Sequence, residues 1–252
     1  MSNDVRAHFA RTAPAYATGY FYADPARLEE VLVLSQPRPS DLALDAATGT
    51  GHTAFALAGY VERAVGLDIT PQMIGQARRL AEERHVDNVE WVLGDAALLP
   101  FPDRTFDLYT VRAAPHHFHD LEAALTEAVR VLRPGGRACI IDSSAPPAAR
   151  DLLHTVEVAR DPSHVRCRTP DEWTGFLQAA GLEVEVADHR ELDWDFDEWM
   201  GAMSVPDDRT VRLSQVIECA EGQARAELRP HRANGHLHHA YWQVLLRGRK
   251  PR

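Results

Sequence analysis

The chain is 252 residues long, 45% hydrophobic and 25% charged, with a net charge of −10 at pH 7. That length and composition suit one compact α/β domain, or a domain with a modest cap, and exclude wholesale disorder. The acidic balance argues against nucleic acid as a partner, and no run approaches the ~18 to 20 uncharged apolar residues of a membrane span.

In chain order, residues 1–11 are polar and charged, without the apolar centre of a secretory signal. Tyr16, Tyr20, Phe21 and Tyr22 make the next stretch aromatic. Short β-rich runs then alternate with helical patterns, the mark of a parallel sheet with crossover helices. Strands are expected at 41–46, 61–67, 89–93, 106–111 and 137–142, and helices at 53–58, 71–84 and 121–132. Thr70 is placed to cap the second of these helices, and Pro71 sits in its first turn, where a missing N–H costs nothing. Arg133-Pro134-Gly135-Gly136 reads as a breaker that turns the chain into the fifth strand.

Beyond Asp142 the rhythm changes. A helix is expected at 170–180, capped by Thr169, then a strand at 182–187 and a last antiparallel strand at 239–246. Trp194, Phe196, Trp199, Met200 and Met203 recur at helical spacing, which predicts a cap packed on the sheet and an apolar face toward an acceptor. Cys139, Cys167 and Cys219 lie far apart with no Cys-x-x-Cys pair, against a disulfide framework or a thiolate zinc site; a reducing, cytoplasmic location is expected. His231, His236, His238 and His239 crowd near the end, but no acidic ligand accompanies them and alternation separates neighbours, so no metal is expected.

The most informative stretch is Asp45-Ala46-Ala47-Thr48-Gly49-Thr50-Gly51, where a strand enters a glycine turn and then a helix. Glycines there allow unusual backbone angles and close approach to a ligand. Asp68 follows at the end of the next strand, where its acceptor-only carboxylate suits two ribose hydroxyls. Asp95 ends the third strand, placed to accept from an adenine amino group. A dinucleotide pyrophosphate is disfavoured, because Asp45 would repel it and Ala47 replaces the first glycine of a G-x-G-x-x-G count. The site reads as adenosine plus amino acid, with a nicotinamide oxidoreductase as the disfavoured alternative.

Five segments in order, the glycine turn above, Gly66-Leu67-Asp68-Ile69-Thr70, Gly94-Asp95-Ala96, Pro100-Phe101-Pro102-Asp103-Arg104-Thr105-Phe106-Asp107 and Leu132-Arg133-Pro134-Gly135-Gly136, resemble the motifs of class I S-adenosylmethionine-dependent methyltransferases. They are most similar to the ubiquinone/menaquinone biosynthesis branch, over roughly residues 35–190. The resemblance implies a Rossmann-like α/β fold: a seven-stranded, mostly parallel sheet of order 3-2-1-4-5-7-6 with the last strand antiparallel and helices on both faces. It implies a helical lid at 1–35 and a methyltransferase domain at 36–252 with substrate-facing insertions near 143–168 and 190–235. The implied cofactor is S-adenosyl-L-methionine, leaving as S-adenosyl-L-homocysteine.

By the same resemblance Asp45, Ala46, Thr48, Gly49 and Gly51 line the methionine part, Asp68 holds the ribose and Ile69 packs on adenine. Asp95 and Ala96 read the adenine edge, while Tyr16 touches the cofactor from the lid. Ala47 departs from the commonest form of the turn, and a small backbone adjustment is expected there. Arg112 and His116-His117 follow the fourth strand, where the family places cofactor- and substrate-facing groups; Arg112 is expected on the methionine carboxylate or an anionic substrate, with a surface ion pair as the alternative. His116 is expected as a base for a phenol, enol or amine, with His164 as a second candidate and packing as the alternative for His117. The implied activity is methylation of a small molecule, a quinone precursor or secondary metabolite. The alternative is a protein of the same fold that binds the cofactor without transferring methyl. The oligomeric state is left open, a homodimer included.

Overall fold

The computed structural model describes residues 3–18 and 23–252. Helix α1 spans Asn3–Thr18 and packs against the helix that follows the second strand. Tyr20, Phe21 and Tyr22 lie outside the described residues, as does the side chain of Tyr16. Helix α2 (Pro25–Ser35) is started by the Asp24 carboxylate, which accepts from the Ala26 N–H, and by Pro25 in its first turn. It buries Val31 and Leu34 with Ala43, Leu108 and Ile141, so within residues 1–35 this part belongs to the layer on the sheet.

The sheet contains β1 (Leu42–Ala46), β2 (Arg63–Asp68), β3 (Val89–Leu93), β4 (Phe106–Arg112), β5 (Leu132–Ser144), β6 (Glu183–Asp195), β7 (His231–Ala233) and β8 (His236–Arg249). Its order is β3-β2-β1-β4-β5-β8-β6, with the three-residue β7 paired to β8 alone. β8 runs antiparallel to both its long neighbours, β5 and β6, while β1 to β5 pair in parallel. The expected order therefore holds, β8 taking the place of the seventh strand because a short hairpin strand precedes it.

Helices α3 (His52–Ala58), α4 (Pro71–Arg84), α5 (Leu121–Val131), α6 (Arg150–Arg160) and α7 (Pro170–Ala179) cross between strands or cover the faces. The Thr169 hydroxyl accepts from the Glu172 N–H and the Glu172 side chain accepts from the Thr169 N–H, a reciprocal cap that starts α7. Thr70 precedes α4 as expected, but its side chain makes no capping bond. Trp173 and Leu177 of α7 join Leu121, Leu125 and Ala128 of α5 in the core on one face of the sheet.

Two strands run far beyond their expected ends. The Arg133-to-Gly136 breaker lies inside β5 and not before it, because a register shift between Phe106 and Leu108 absorbs it. Gly135 there sits at φ 80° and its N–H donates to the Lys250 carbonyl at 2.8 Å. β6 continues to Asp195 because β8 is long enough to pair with it throughout. Arg137 at the base of β5 is buried against the Asp41 carboxylate and also donates to the Gln36 carbonyl, tying the start of the sheet to α2.

The region after β6 forms α8 (Phe196–Gly201), α9 (Asp207–Glu218) and α10 (Gly222–Leu228). Phe196, Trp199, Met200, Leu213, Ile217 and Leu228 pack with Leu153 and Val156 of α6 into a second apolar core, which takes in four of the five residues expected at helical spacing, Trp194 at its edge, and leaves Met203 out. Among the described residues no helix is long and apolar enough to cross a membrane.

Candidate active site

At the carboxyl ends of β1, β2 and β4 lies a cleft of about 840 Å³, counting space open to solvent. The chain turns sharply out of β1 through Ala47 (φ 51°), Gly49 (φ 56°) and Gly51 (φ 90°) before α3 begins. Gly51 is required twice over: an added Cβ would stand 2.4 Å from the Trp91 ring, in a left-handed conformation. Gly49 differs, since a Cβ there would meet nothing within 4 Å; its face is open to the cleft it lines. Ala47 takes the left-handed turn itself, so the expected adjustment is a strained alanine with the loop path retained.

Asp68 ties this loop to β2, its two oxygens accepting from the Gly49 N–H at 2.9 Å and the Thr70 N–H at 2.8 Å. Burial raises its pKa, opposed by those backbone bonds. Asp45 is 1% exposed, yet it lines the cleft. The Thr48 and Thr110 hydroxyls donate to it at 2.6 and 2.9 Å. Burial carries its pKa up to about 6, against those two bonds and the nearby Arg112 cation. Arg112 lines the cleft and its Nε donates to the Thr53 hydroxyl at 3.1 Å. Leu67, Ile69, Met73, Ala96 and Phe118 add apolar wall, and Phe9 of α1 closes it edge-on to His117. A carboxylate able to accept further bonds, an apolar slot and a glycine face open to the cleft fit the adenosine, ribose and methionine parts of S-adenosylmethionine.

Several expected contacts fall elsewhere. The Ala46 side chain is wholly buried in the core, and Gly51 backs onto Trp91. Asp95 does not line the cleft: its carboxylate accepts from the Ala97 N–H at 2.9 Å, while its neighbours Gly94 and Ala96 face the cavity. Tyr16 lies on α1, whose Phe9 lines the cleft, and nothing described places the Tyr16 side chain.

A second, larger cavity of about 2,270 Å³, again counting open space, shares Ala113 and His117 with the first. His116 lines it, with Nδ1 2.6 Å from Asp142 Oδ1 and its N–H donating to Asp142 Oδ2 at 2.7 Å. Burial works against the imidazolium, but Asp142 outweighs it, aided by Glu157 and Asp161, and the His116 pKa is raised. His117 is buried, with Nδ1 3.0 Å from the Ser163 carbonyl oxygen. Of the two expected bases His116 stands at the cavity and His164 does not. His164 is buried behind it, 3.4 Å from the Cys167 sulfur, and lines neither cavity. Burial and then the surrounding His116, His117, His154 and Arg160 lower its pKa to about 2, so it accepts no proton near neutrality. Short-range patterning could not show this, because His164 is enclosed by His154 of α6 and by Cys167, contacts that only the packed chain makes.

The Asp142 partner of His116 was missed, although the signal that marked Asp45 and Asp68, an acid near the carboxyl end of an apolar strand, applies equally to Ile140-Ile141-Asp142. Thr110 was missed because it sits mid-strand and reads as a plain β former. Acids do accompany the C-terminal histidines, contrary to expectation: β6 brings Asp193 to His231 and His238, and Asp195 of β6 and Asp197 just beyond it stand beside His236. His239 alone points the other way, wholly buried between Phe196 and Trp199.

A family profile described as a methyltransferase domain matches residues 44–140, the stretch from the middle of β1 into β5. The uncharacterized methyltransferase YcgJ of Bacillus subtilis is 33% identical over 227 residues, 89% of each chain. The crystal structure of YcgJ superposes with a TM-score of 0.84, covering 90% of this chain and 99% of that one. A putative methyltransferase structure from Bacillus halodurans gives 0.85 at 31% identity, over 90% of this chain and all of that one. The ubiquinone/menaquinone biosynthesis C-methyltransferase UbiE of Roseobacter denitrificans is 43% identical, over 44% of this chain and 46% of its own. Since the likeness to YcgJ extends over 89% of each chain at 33% identity and the profile spans the strands that carry the cleft, the chain belongs to the class I S-adenosylmethionine-dependent methyltransferases and is an enzyme with that cofactor.

Proposed function

We propose that this methyltransferase acts on a small molecule held in the second cavity, and that His116 Nε2 takes the proton the acceptor loses. The observation that carries the reading is the position of the His116–Asp142 pair, beside the residues Ala113 and His117 that both cavities share. The cofactor supplies an electrophilic methyl group on a sulfonium, which leaves the chain to position, dehydrate and deprotonate the acceptor. Asp142 holds Nδ1, so the other ring nitrogen is the one that exchanges a proton.

The cavity lining narrows the acceptor. Trp194, Trp199 and Tyr241 supply aromatic surface, while Asp24, Asp142, Glu157, Asp161, Asp193, Asp195 and Glu198 face, among the described residues, only Arg27 and Arg160 as full cations. Carboxylates in that excess repel diphosphates and carboxylic acids, and favour a neutral or cationic aromatic with an ionisable phenol, enol or amine. A quinone precursor or an aromatic secondary metabolite has that form, and the likeness to UbiE supports the first. Asp45, Thr48, Gly49, Asp68, Ile69, Ala96 and Arg112 are proposed as the cofactor contacts, with α1 as a cover lending Phe9. Three free cysteines agree with a cytoplasmic location.

The test uses methyl-labelled cofactor with a panel of phenols, enols and amines. Wild type is expected to label a member of the panel. His116→Ala is expected to lose about 10²- to 10⁴-fold in kcat, with cofactor affinity by calorimetry unchanged, whereas Asp68→Ala loses cofactor binding itself. Full activity in His116→Ala refutes the base, and cofactor binding without labelling of any small molecule refutes the acceptor class.

A further inference from the structure

The end of β6 and the β7–β8 hairpin gather histidines to which the methyl-transfer reading gives no role, beside Asp193 and Asp195 of the cavity wall. Strand register is the reason. Side chains two apart share a face, so Asp193 and Asp195 of β6 point together, as do His236 and His238 of β8. Asp195 stands opposite His238 across one ladder, and His231 opposite His238 across the other. Three strands thus put alternate histidines and aspartates on a single face, and His239 on the reverse.

The spacing is that of a coordination sphere. Asp193, His231 and His238 each offer a ligand atom within 4.8 Å of the others. Asp193 Oδ2 is 3.4 Å from His238 Nδ1 and 3.7 Å from His231 Nε2. Ligand bonds of about 2.0–2.2 Å around a tetrahedral ion place neighbouring donor atoms roughly 3.3–3.6 Å apart. His238 Nδ1 is a buried ring nitrogen with no hydrogen-bond partner, although the carboxylate lies beside it. In the neighbouring group, His236 Nδ1 is already hydrogen bonded to Asp197 at 3.1 Å. The surroundings favour a cation, since Asp193 and His238 line the cavity in which carboxylates outnumber arginines.

We propose that Asp193, His231 and His238 form a binding site for a divalent transition-metal ion of the zinc type at the mouth of the second cavity. Two imidazoles and one carboxylate select zinc, cobalt or nickel over magnesium or calcium, which take oxygen donors. The ion clips the β7–β8 hairpin to the end of β6 and leaves its remaining coordination positions toward the cavity, for water or an oxygen or nitrogen of the acceptor.

The test is titration of the chelator-treated full chain with Co²⁺, followed by visible ligand-field absorption, and with Zn²⁺ by calorimetry. Wild type is expected to bind one ion per chain and to melt at a higher temperature with Zn²⁺ present. Asp193→Asn and the pair His231→Ala with His238→Ala are expected to weaken binding at least tenfold and to abolish the melting shift. His236→Ala is expected to do neither, and circular dichroism checks that each variant is folded; should the pair misfold, Asp193→Asn decides alone. No one-to-one binding by wild type, unchanged affinity in the Asp193 and paired-histidine variants, or loss confined to His236→Ala each overturns the proposal.

Discussion

Asp45 is a carboxylate held in a place that costs the fold free energy, and Asp45→Asn measures that cost. Burial carries its pKa from 3.8 to about 6, which at 1.36 kcal/mol per pH unit corresponds to about 3 kcal/mol. The sign follows from the direction. A carboxyl with a raised folded pKa imposes no cost below the unfolded value near 3.8, a growing cost between there and 6, and the full cost above. Asparagine keeps the shape and can still bond the Thr48 and Thr110 hydroxyls, but has no charge to desolvate. The two hydroxyls donate to separate carboxylate oxygens, and an amide nitrogen in place of one of them offsets part of the gain, leaving roughly 1–2 kcal/mol of stabilisation at pH 8. For a chain of this size that is about 2–8 °C in Tm. At pH 5 the advantage should fall to about half or less. Scanning calorimetry of wild type and variant at pH 5 and 8 reads both quantities. Calorimetric titration should show S-adenosylmethionine binding weakened at least about tenfold, because the variant has lost the charge facing a cationic ligand. A variant less stable than wild type at pH 8, or a difference that does not move with pH, refutes the argument that burial sets this pKa.

Two further outcomes concern the frame of the site. Ala47→Gly removes a side chain from a left-handed position (φ 51°), and should stabilise the chain by about 0.5–1 kcal/mol in urea denaturation without weakening cofactor binding. Asp41→Asn leaves the Arg137 guanidinium buried with no charged partner at the base of the sheet, and should cost about 3–5 kcal/mol by the same measurement, with no change in the pH dependence of activity.

The sequence specified local things well. Chain stretches whose structure follows from short-range patterning appeared where expected: β3 at 89–93, α4 at 71–84 behind Thr70-Pro71, and the glycine turn between β1 and α3. Asp68 was legible for the same reason, since an acid at the end of a buried strand needs a ligand or a loop to satisfy it, and here the Gly49 and Thr70 amides do so. Strand length was not legible at β5 and β6. How far a strand continues depends on whether a neighbour offers a ladder: β4 carries β5 back to Leu132, and β8, more than 40 residues beyond the end of β6, pairs with β6 throughout.

The same distinction separates the two candidate bases. His116 and His164 are both histidines near a proline in a segment between regular elements. Tertiary packing gave His116 a buried carboxylate partner and a cavity, and gave His164 a dry interior among cations that keeps it neutral. The C-terminal histidines make the point again. Alternation within one strand correctly sends His238 and His239 to opposite faces, but only the pairing of three strands sets Asp193 beside His231 and His238. Periodicity and turn chemistry act over a few residues and are written in order along the chain, so the alternation of strands and helices and the glycine turn were legible by themselves, while the strand order and the cofactor were legible through the family resemblance of the ordered motifs. Charge partners and burial come from segments tens of residues apart, so the Asp142 partner of His116, the cavity beside that pair and the dry setting of His164 were decided only by the tertiary structure.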